Sequence, residues 1–305
     1  IRDRSIKVED ISKFYGSQEA LSHINFEAHK GEIIGFLGPN GAGKSTMMKI
    51  LTAYISASAG NAQVAGFDVV EDALEVKKRI GYLPEHNSLY TDMYVKEYLQ
   101  FIANIYGISN VSQRIDETIK LVKLELEQHK KIEELSKGYR QRVGLAAAII
   151  HDPEVLILDE PTTGLDPNQL AEIRSLIMNI GKEKTVLLST HIMQEVEAMC
   201  SRVLIINKGK IIADKATHEL KRSLENQDIV EVEFDKEIDT DLLTSSFPSI
   251  SVEAKGNNQY KNINSSGKDI RAKLFEWAVD NGLSILSQRE VQNNLEDVFK
   301  QLTES

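Results

Sequence analysis

A chain of 305 residues is long enough for one large domain, or for a core domain with a smaller one attached. Its composition, 41% hydrophobic and 27% charged, is that of an ordinary globular protein, while a net charge of -10 disfavours a broad nucleic-acid-binding surface, so no nucleic-acid partner is expected. The lone cysteine, Cys200, excludes an intrachain disulfide framework and a multi-cysteine metal site, and the longest apolar run, about Val143 to Ile150, falls far short of the ~20 residues a membrane helix needs.

The charged start, Ile1-Arg2-Asp3-Arg4-Ser5, carries no apolar signal-peptide core, so any work at a membrane is expected to go through a partner. Ile6-Lys7-Val8 and Ile24 to Ala28 read as short β segments separated by turns, with Phe14-Tyr15-Gly16 between them. Tyr15 is either a packing residue or an aromatic able to stack on an adenine ring, and the residues alone leave both open. Glu32 to Leu37 is an apolar run that reads as a buried strand, and Met47, Met48, Ile50 and Leu51 give an apolar helical face. Between them lies Gly38-Pro39-Asn40-Gly41-Ala42-Gly43-Lys44-Ser45-Thr46, which fits the phosphate-loop pattern in its required strand–loop–helix setting. Glycines let the chain turn tightly, so that several N–H groups and a helix N-terminus face one small cup that suits an anion. Lys44 supplies a full positive charge for the outer phosphates, and the Ser45 hydroxyl is placed for Mg²⁺.

Ala62 to Gly66 reads as a hairpin piece, and Ile80 to Leu83 as a short strand ended by Pro84, which leaves Glu85 at a strand terminus where α/β sheets place ligands. From Val95 to Ile149 the pattern turns helical: Val95, Tyr98, Leu99, Ile102 and Ile105 share one spacing, and Ile115, Ile119, Val122 and Leu126 another. Near the end of this block, Ser136 of Leu135-Ser136-Lys137-Gly138 is a helix cap, read either as an ordinary helix start or as a second anion cup. Val155 to Leu158 is a buried parallel strand with Asp159 and Glu160 at its tip. The pair is either a solvated acidic turn before Pro161 or, with a phosphate loop elsewhere in the chain, a site whose counter-ion is Mg²⁺, with Asp159 the metal-side acid and Glu160 free to take a proton from water. Gly164-Leu165-Asp166-Pro167 turns into a helix from about Asn168 to Ile180, and a further buried strand from Thr185 ends in Thr190-His191, where the His is a candidate for touching a phosphate. Val203 to Ile206 makes one more strand, and Asn207-Lys208-Gly209-Lys210 after it resembles a guanine-reading pattern but has Lys210 in the acid's place, which argues against a GTPase. Beyond about Lys221 the texture changes: a strand at Ile229 to Phe234, a polar loop-rich stretch from Ser245 to Gly267, a helix from Ile270 to Val279, a strand at Leu283 to Leu286 and a last helix capped by Asn293.

Taken together, the phosphate loop, Leu135 to Gly138, Ile157 to Pro161, Gly164 to Asp166 and Ser189 to His191 resemble the ATP-binding subunits of ABC transporters over roughly residues 5–220. The remainder is similar to the C-terminal extension of exporter-type subunits, and the whole is most like subunits associated with bacterial gliding motility. The resemblance implies an α/β phosphate-loop NTPase core at 5–220 with an inserted helical subdomain at about 88–150, and a small α+β accessory domain at 221–305. It implies that Tyr15 stacks on adenine, that residues Gly38 to Thr46 hold the phosphates, and that Ser45, Glu85 and Asp159 surround Mg²⁺. Glu160 is then the general base, with Lys44 and His191 beside it, Asp166 belongs to a loop that crosses a dimer, and Ser136 and Gly138 act on ATP held by the partner subunit. The implied assembly is an ATP-dependent homodimer or a pair of related subunits, peripheral on the cytoplasmic face of the membrane and driving a separate polytopic permease. Glu85 replaces the glutamine most members carry, and Lys137 and Tyr139 replace the commonest residues of their segment. The alternatives are a ribosome- or DNA-directed ATPase of the same class and a small-molecule kinase.

Overall fold

The computed structural model describes residues 4–220, 228–248, 250–264 and 270–291, and the chain divides into two compact units, Ile1–Thr217 and His218–Ser305. The first unit holds two sheets. β1 (Arg4–Tyr15), β2 (Gln18–His29), β4 (Ala59–Val64) and β5 (Phe67–Asp68) form an antiparallel sheet in the order β2-β1-β4-β5. The short segments expected here are two strands of 12 residues each. The apolar alternation breaks at Asp10 and His23 because the ribbon bulges there: both residues have φ near +50°, and the pairing register shifts beside them.

The second sheet has the order β10-β9-β3-β8-β7-β6. β3 (Ile33–Leu37), β6 (Ile80–Leu83), β7 (Val155–Asp159), β8 (Thr185–Thr190) and β9 (Arg202–Asn207) are parallel, and β10 (Lys210–Ala216) closes the edge antiparallel. Every residue of β7 and β8 is buried, which is why both read as unbroken apolar runs. Helix α1 (Lys44–Leu51) lies between the two sheets, with Met47, Met48, Ile50 and Leu51 buried against Ile6, Phe26 and Phe36. Each such side chain contributes roughly 1.5–3 kcal/mol of burial, enough to fix the loop that precedes the helix.

Helices α2 (Ala73–Arg79), α3 (Val95–Ile105), α4 (Val111–Leu121) and α5 (Lys137–Ile149) are inserted around β6, and α6 (Pro167–Ile180) and α7 (Met193–Met199) follow β7 and β8. Leu126, expected on the same face as Ile115 and Ile119, lies outside α4 and is 90% exposed. The helix stops because Lys123 adopts φ of 56°, the left-handed conformation that ends a helical ladder. Asn207-Lys208-Gly209-Lys210 is the β9–β10 hairpin, with Lys208 and Gly209 both at positive φ.

The second unit is an antiparallel sheet, β12-β13-β11-β14, with helices Thr240–Ser246 and Arg271–Asp280 in a β-α-β-β-α-β order. β11 (Asp228–Phe234) and β13 (Gln259–Asn264) send Val230, Val232, Phe234 and Tyr260 into its core. The stretch expected to be loop-rich instead contains β12 (Ile250–Gly256) paired with β13. It looked like loop because Ser251, Glu253 and Lys255 are exposed, leaving few apolar residues to mark a strand. β14 (Ile285–Val291) begins later and runs further than the expected strand. The helix expected from Asn293 lies outside the described residues. Among the described residues no helix is long and apolar enough to cross a membrane.

Candidate functional site

Four parallel strands stand in the order β3-β8-β7-β6, and their carboxyl ends carry Gly38 to Thr46, Thr190-His191, Asp159-Glu160 and Pro84-Glu85 respectively. That edge is where open α/β sheets leave a crevice. The loop after β3 is shaped by close approach. A Cβ on Gly38 would sit 2.5 Å from the Ile206 carbonyl oxygen, and one on Gly43, at φ of 106°, would sit 2.6 Å from the Ala20 oxygen. Gly43 is also the residue before α1, and no side chain caps that helix. The first N–H groups of α1 are thereby left for a ligand.

Lys44 folds back on its own loop, its Nζ donating to the Gly38 oxygen at 2.8 Å and the Pro39 oxygen at 3.2 Å. The same ammonium lies 3.4 Å from Oε1 of Glu160, and both side chains are only 6% exposed. Glu160 is met from two further directions: His191 Nδ1 is 3.1 Å and 3.0 Å from its two oxygens, and the Thr163 hydroxyl donates to Oε2 at 3.1 Å. The ammonium offsets a carboxylate charge that would be costly to bury alone. Backbone geometry aims the group: Glu160 has φ of 50°, and its N–H donates to the Ser189 carbonyl at 3.2 Å and hydroxyl at 3.1 Å. The Ser189 hydroxyl donates in turn to Asp159 Oδ1. A cation that holds an anion, a carboxylate that can accept a proton and an imidazole therefore share one point.

Ser45, Asp159 and Glu85 line one cavity of about 660 Å³, together with Tyr54, Tyr82 and Tyr106. Burial, with the charge of Asp159 behind it, pushes the Tyr82 phenol well above its ordinary value, so it stays neutral beside the site. The three oxygen donors suit a hard cation such as Mg²⁺, which takes few protein ligands and keeps its waters and phosphates. Asp159 is 2% exposed and Glu85 is exposed, so the first is fixed and the second is open to solvent.

The remaining candidates lie elsewhere. Ser136 caps α5, its Oγ accepting from Tyr139 N–H at 3.4 Å. Gly138 packs against the Gln169 side chain, and Lys137 reaches over Gly164. Asp166 caps α6, accepting from Asn168 and Gln169 N–H at 3.0 Å and 2.9 Å. Among the described residues no hydrogen bond joins Ser136, Lys137 or Gly138 to residues 38–46. Tyr15 is 49% exposed at the end of β1, with Lys13 Nζ 5.3 Å from its ring centre. Cys200 is buried, which pushes its thiol up and leaves it no part in the chemistry.

Sequence reading missed the bracing of the loop. The Gly209 N–H donates to the Ala42 oxygen at 3.0 Å, and Ser22 N–H donates to the Gly209 oxygen at 2.8 Å, tying the phosphate loop to the β9–β10 turn and to β2. The Asn-Lys-Gly-Lys stretch carries the turn signal, but nothing in it says which loop the turn supports.

The family model described as ABC transporter matches residues 21–163. The bacitracin transport ATP-binding protein BcrA of Bacillus licheniformis is 34% identical over 300 residues, 97% of this chain and 96% of that one. Nod factor export ATP-binding protein I of Rhizobium etli is 32% identical over 305 residues, covering 98% and 93% of the two chains. Among solved structures, CbiO1 of Clostridium perfringens, described as part of the ABC transporter complex CbiONQ, aligns with a TM-score of 0.66 at 27% identity, over 72% of this chain and 91% of its own. The chain belongs to the ABC transporter family and is one of its ATP-binding, ATP-hydrolysing subunits.

Proposed function

We propose that two copies of this chain, or this chain and a related subunit, close around ATP and drive a separate polytopic membrane permease in the export direction. The observation that carries the reading is the meeting of Lys44, Glu160 and His191, with Nζ–Oε1 at 3.4 Å and Nδ1–Oε2 at 3.0 Å. Lys44 and the loop Gly38 to Thr46 hold the phosphates, Glu160 takes the proton of the attacking water, and His191 bears on the terminal phosphate. Ser45, Asp159 and Glu85 would hold Mg²⁺, which when bound neutralises developing phosphate charge. Tyr15, half exposed, serves as the platform for adenine.

The dimer is supported by what one copy lacks. Gly138 is buried against the Gln169 side chain and Lys137 reaches over Gly164, with no hydrogen bond to their own phosphate loop among the described residues, so the exposed Ser136, backed by Gly138, serves a nucleotide held by another subunit. The cavity beside Glu85, rimmed by Tyr54 at 74% and Tyr106 at 40% exposure, is the docking place for the permease. The chain then sits on the cytoplasmic face of the membrane. Full-length relatives that carry out bacitracin transport and Nod factor export support export over import, while a role in gliding motility draws no support from them. Their match along the second unit also speaks against a ribosome- or DNA-directed ATPase.

The test is turnover against protein concentration. Specific activity rises with concentration until the dimer is saturated, and Lys44→Ala abolishes ATP binding. Full activity in dilute, strictly monomeric protein would overturn the dimer. Co-purification with a polytopic membrane protein, against ribosomes or DNA, decides the partner.

A further inference from the structure

Glu195, in the first turn of α7, is fully buried, and among the described residues no lysine, arginine or histidine is paired with it. Its two oxygens are taken by two hydroxyls. Thr162 Oγ1 donates to Oε1, and Thr190 Oγ1 donates to Oε2 at 2.7 Å. The Thr190 oxygen also accepts the Ile192 N–H at 3.1 Å, which fixes its hydroxyl hydrogen toward the carboxylate. Thr162 lies two residues beyond Glu160, and Thr190 immediately precedes His191. One buried side chain therefore ties together the turn that carries Glu160 and the strand tip that carries His191.

We infer that Glu195 is a positioning residue for ATP hydrolysis, acting through Thr162 and Thr190 to hold Glu160 and His191 in register; this rests on the roles proposed above for those two residues. Glu160 needs such a restraint. Its φ of 50° is a left-handed conformation that costs a side-chain-bearing residue roughly 1–3 kcal/mol and persists only where the surroundings enforce it. Upstream, Ser189 grips the Glu160 N–H; downstream, Gln141 Nε2 donates to the Pro161 oxygen at 2.9 Å and Glu195 holds Thr162. For packing alone, an apolar side chain of that size would serve at lower cost than a carboxylate stripped of water. The carboxylate supplies two acceptors at a fixed spacing, one for each of the two elements.

The test compares Glu195→Ala, Glu195→Gln and Thr162→Val in the full chain, by steady-state ATP turnover, equilibrium nucleotide affinity and thermal unfolding. Displacing a catalytic group by about 1 Å costs on the order of 100-fold, so Glu195→Ala and Thr162→Val lower kcat by about 10- to 100-fold. Nucleotide affinity stays within about threefold, because neither change touches the phosphate loop, and this split separates positioning from general loss of structure. Glu195→Gln keeps kcat within about threefold, since its amide oxygen accepts from Thr190 while its N–H₂ donates to the Thr162 oxygen. Should Glu195→Ala fail to fold, Thr162→Val and Glu195→Gln carry the decision. Wild-type kcat in Thr162→Val overturns the inference, as does nucleotide affinity falling in parallel with kcat, or Glu195→Gln losing as much turnover as Thr162→Val. Glu160→Gln is the control: if it keeps turnover, the base assignment fails, whereas if it is inactive while Thr162→Val is not, only the positioning role fails.

Discussion

Replacing Glu160 with Gln separates three quantities that the geometry links. The substitution keeps shape and can still accept the Thr163 hydroxyl, but it removes both the proton acceptor and the charge facing Lys44. Loss of a positioned base lowers kcat by about 10²–10⁴-fold, or roughly 2.7–5.5 kcal/mol of barrier. Nucleotide binding moves the other way. At 3.4 Å and an effective dielectric near 20, the Lys44–Glu160 attraction is about 5 kcal/mol, and an arriving phosphate must compete with it for the same ammonium. With Gln the ammonium is free of that competition, so ATP binds as well as or better than in the wild type. The nucleotide-free protein, in contrast, is destabilised by about 3 kcal/mol, the lower end for breaking a buried pair, because Nζ keeps the Gly38 and Pro39 oxygens. Phosphate release, equilibrium binding of nucleotide and denaturant unfolding without nucleotide read the three effects. Wild-type turnover in this variant would refute the base assignment, and nucleotide binding weakened more than tenfold would show that Glu160 acts on affinity instead.

Gly38→Ala places a methyl group 2.5 Å from the Ile206 carbonyl oxygen, which is backbone and has no room to yield. The loop must shift, and ATP affinity is expected to fall at least about tenfold, measured by equilibrium binding, with Lys44 still present. His151 gives a pH test of the fold. Its ring stacks on Tyr106 with centres 3.8 Å apart, and Nε2 donates to the Ile80 oxygen at 2.8 Å. Burial holds this imidazole below its ordinary value of 6.5, against a smaller opposing effect of the Ile80 carbonyl. Above that value neither the folded nor the unfolded chain protonates the ring. As the pH falls below it, the unfolded chain takes up a proton first, and stability is lost at up to about 1.4 kcal/mol per pH unit until the folded ring also titrates. Denaturant midpoints compared at pH 7 and pH 5.5 should show this loss in the wild type and less of it in His151→Phe; equal slopes would assign the acid sensitivity to other groups.

What the sequence disclosed and what it withheld divide along the range of the physical signal. The phosphate loop is local: its glycines, its lysine and the flanking apolar runs sit within about 20 residues, and each constrains the next. The tips of β7 and β8 were legible for a similar reason, since a buried parallel strand reads as an unbroken apolar run and polar residues at its end stand out. The strand order was not legible, and the chemistry depends on it. β8 lies between β3 and β7 although it follows both in the chain, and only that placement brings His191 and Lys44 to the same carboxylate. A lone Glu on a short helix carries no spacing signal, so Glu195 becomes visible only when Thr162 and Thr190 are seen to converge on it. β12 was missed for the opposite reason: five of its seven residues are exposed, and a strand with so few buried apolar members cannot be told from a polar loop. Motifs therefore mark the atoms proposed to meet the nucleotide, whereas the contacts that hold those atoms in place are set by topology, and substitutions at Glu195, Thr162 or Gly209 test a layer of the site that no motif contains.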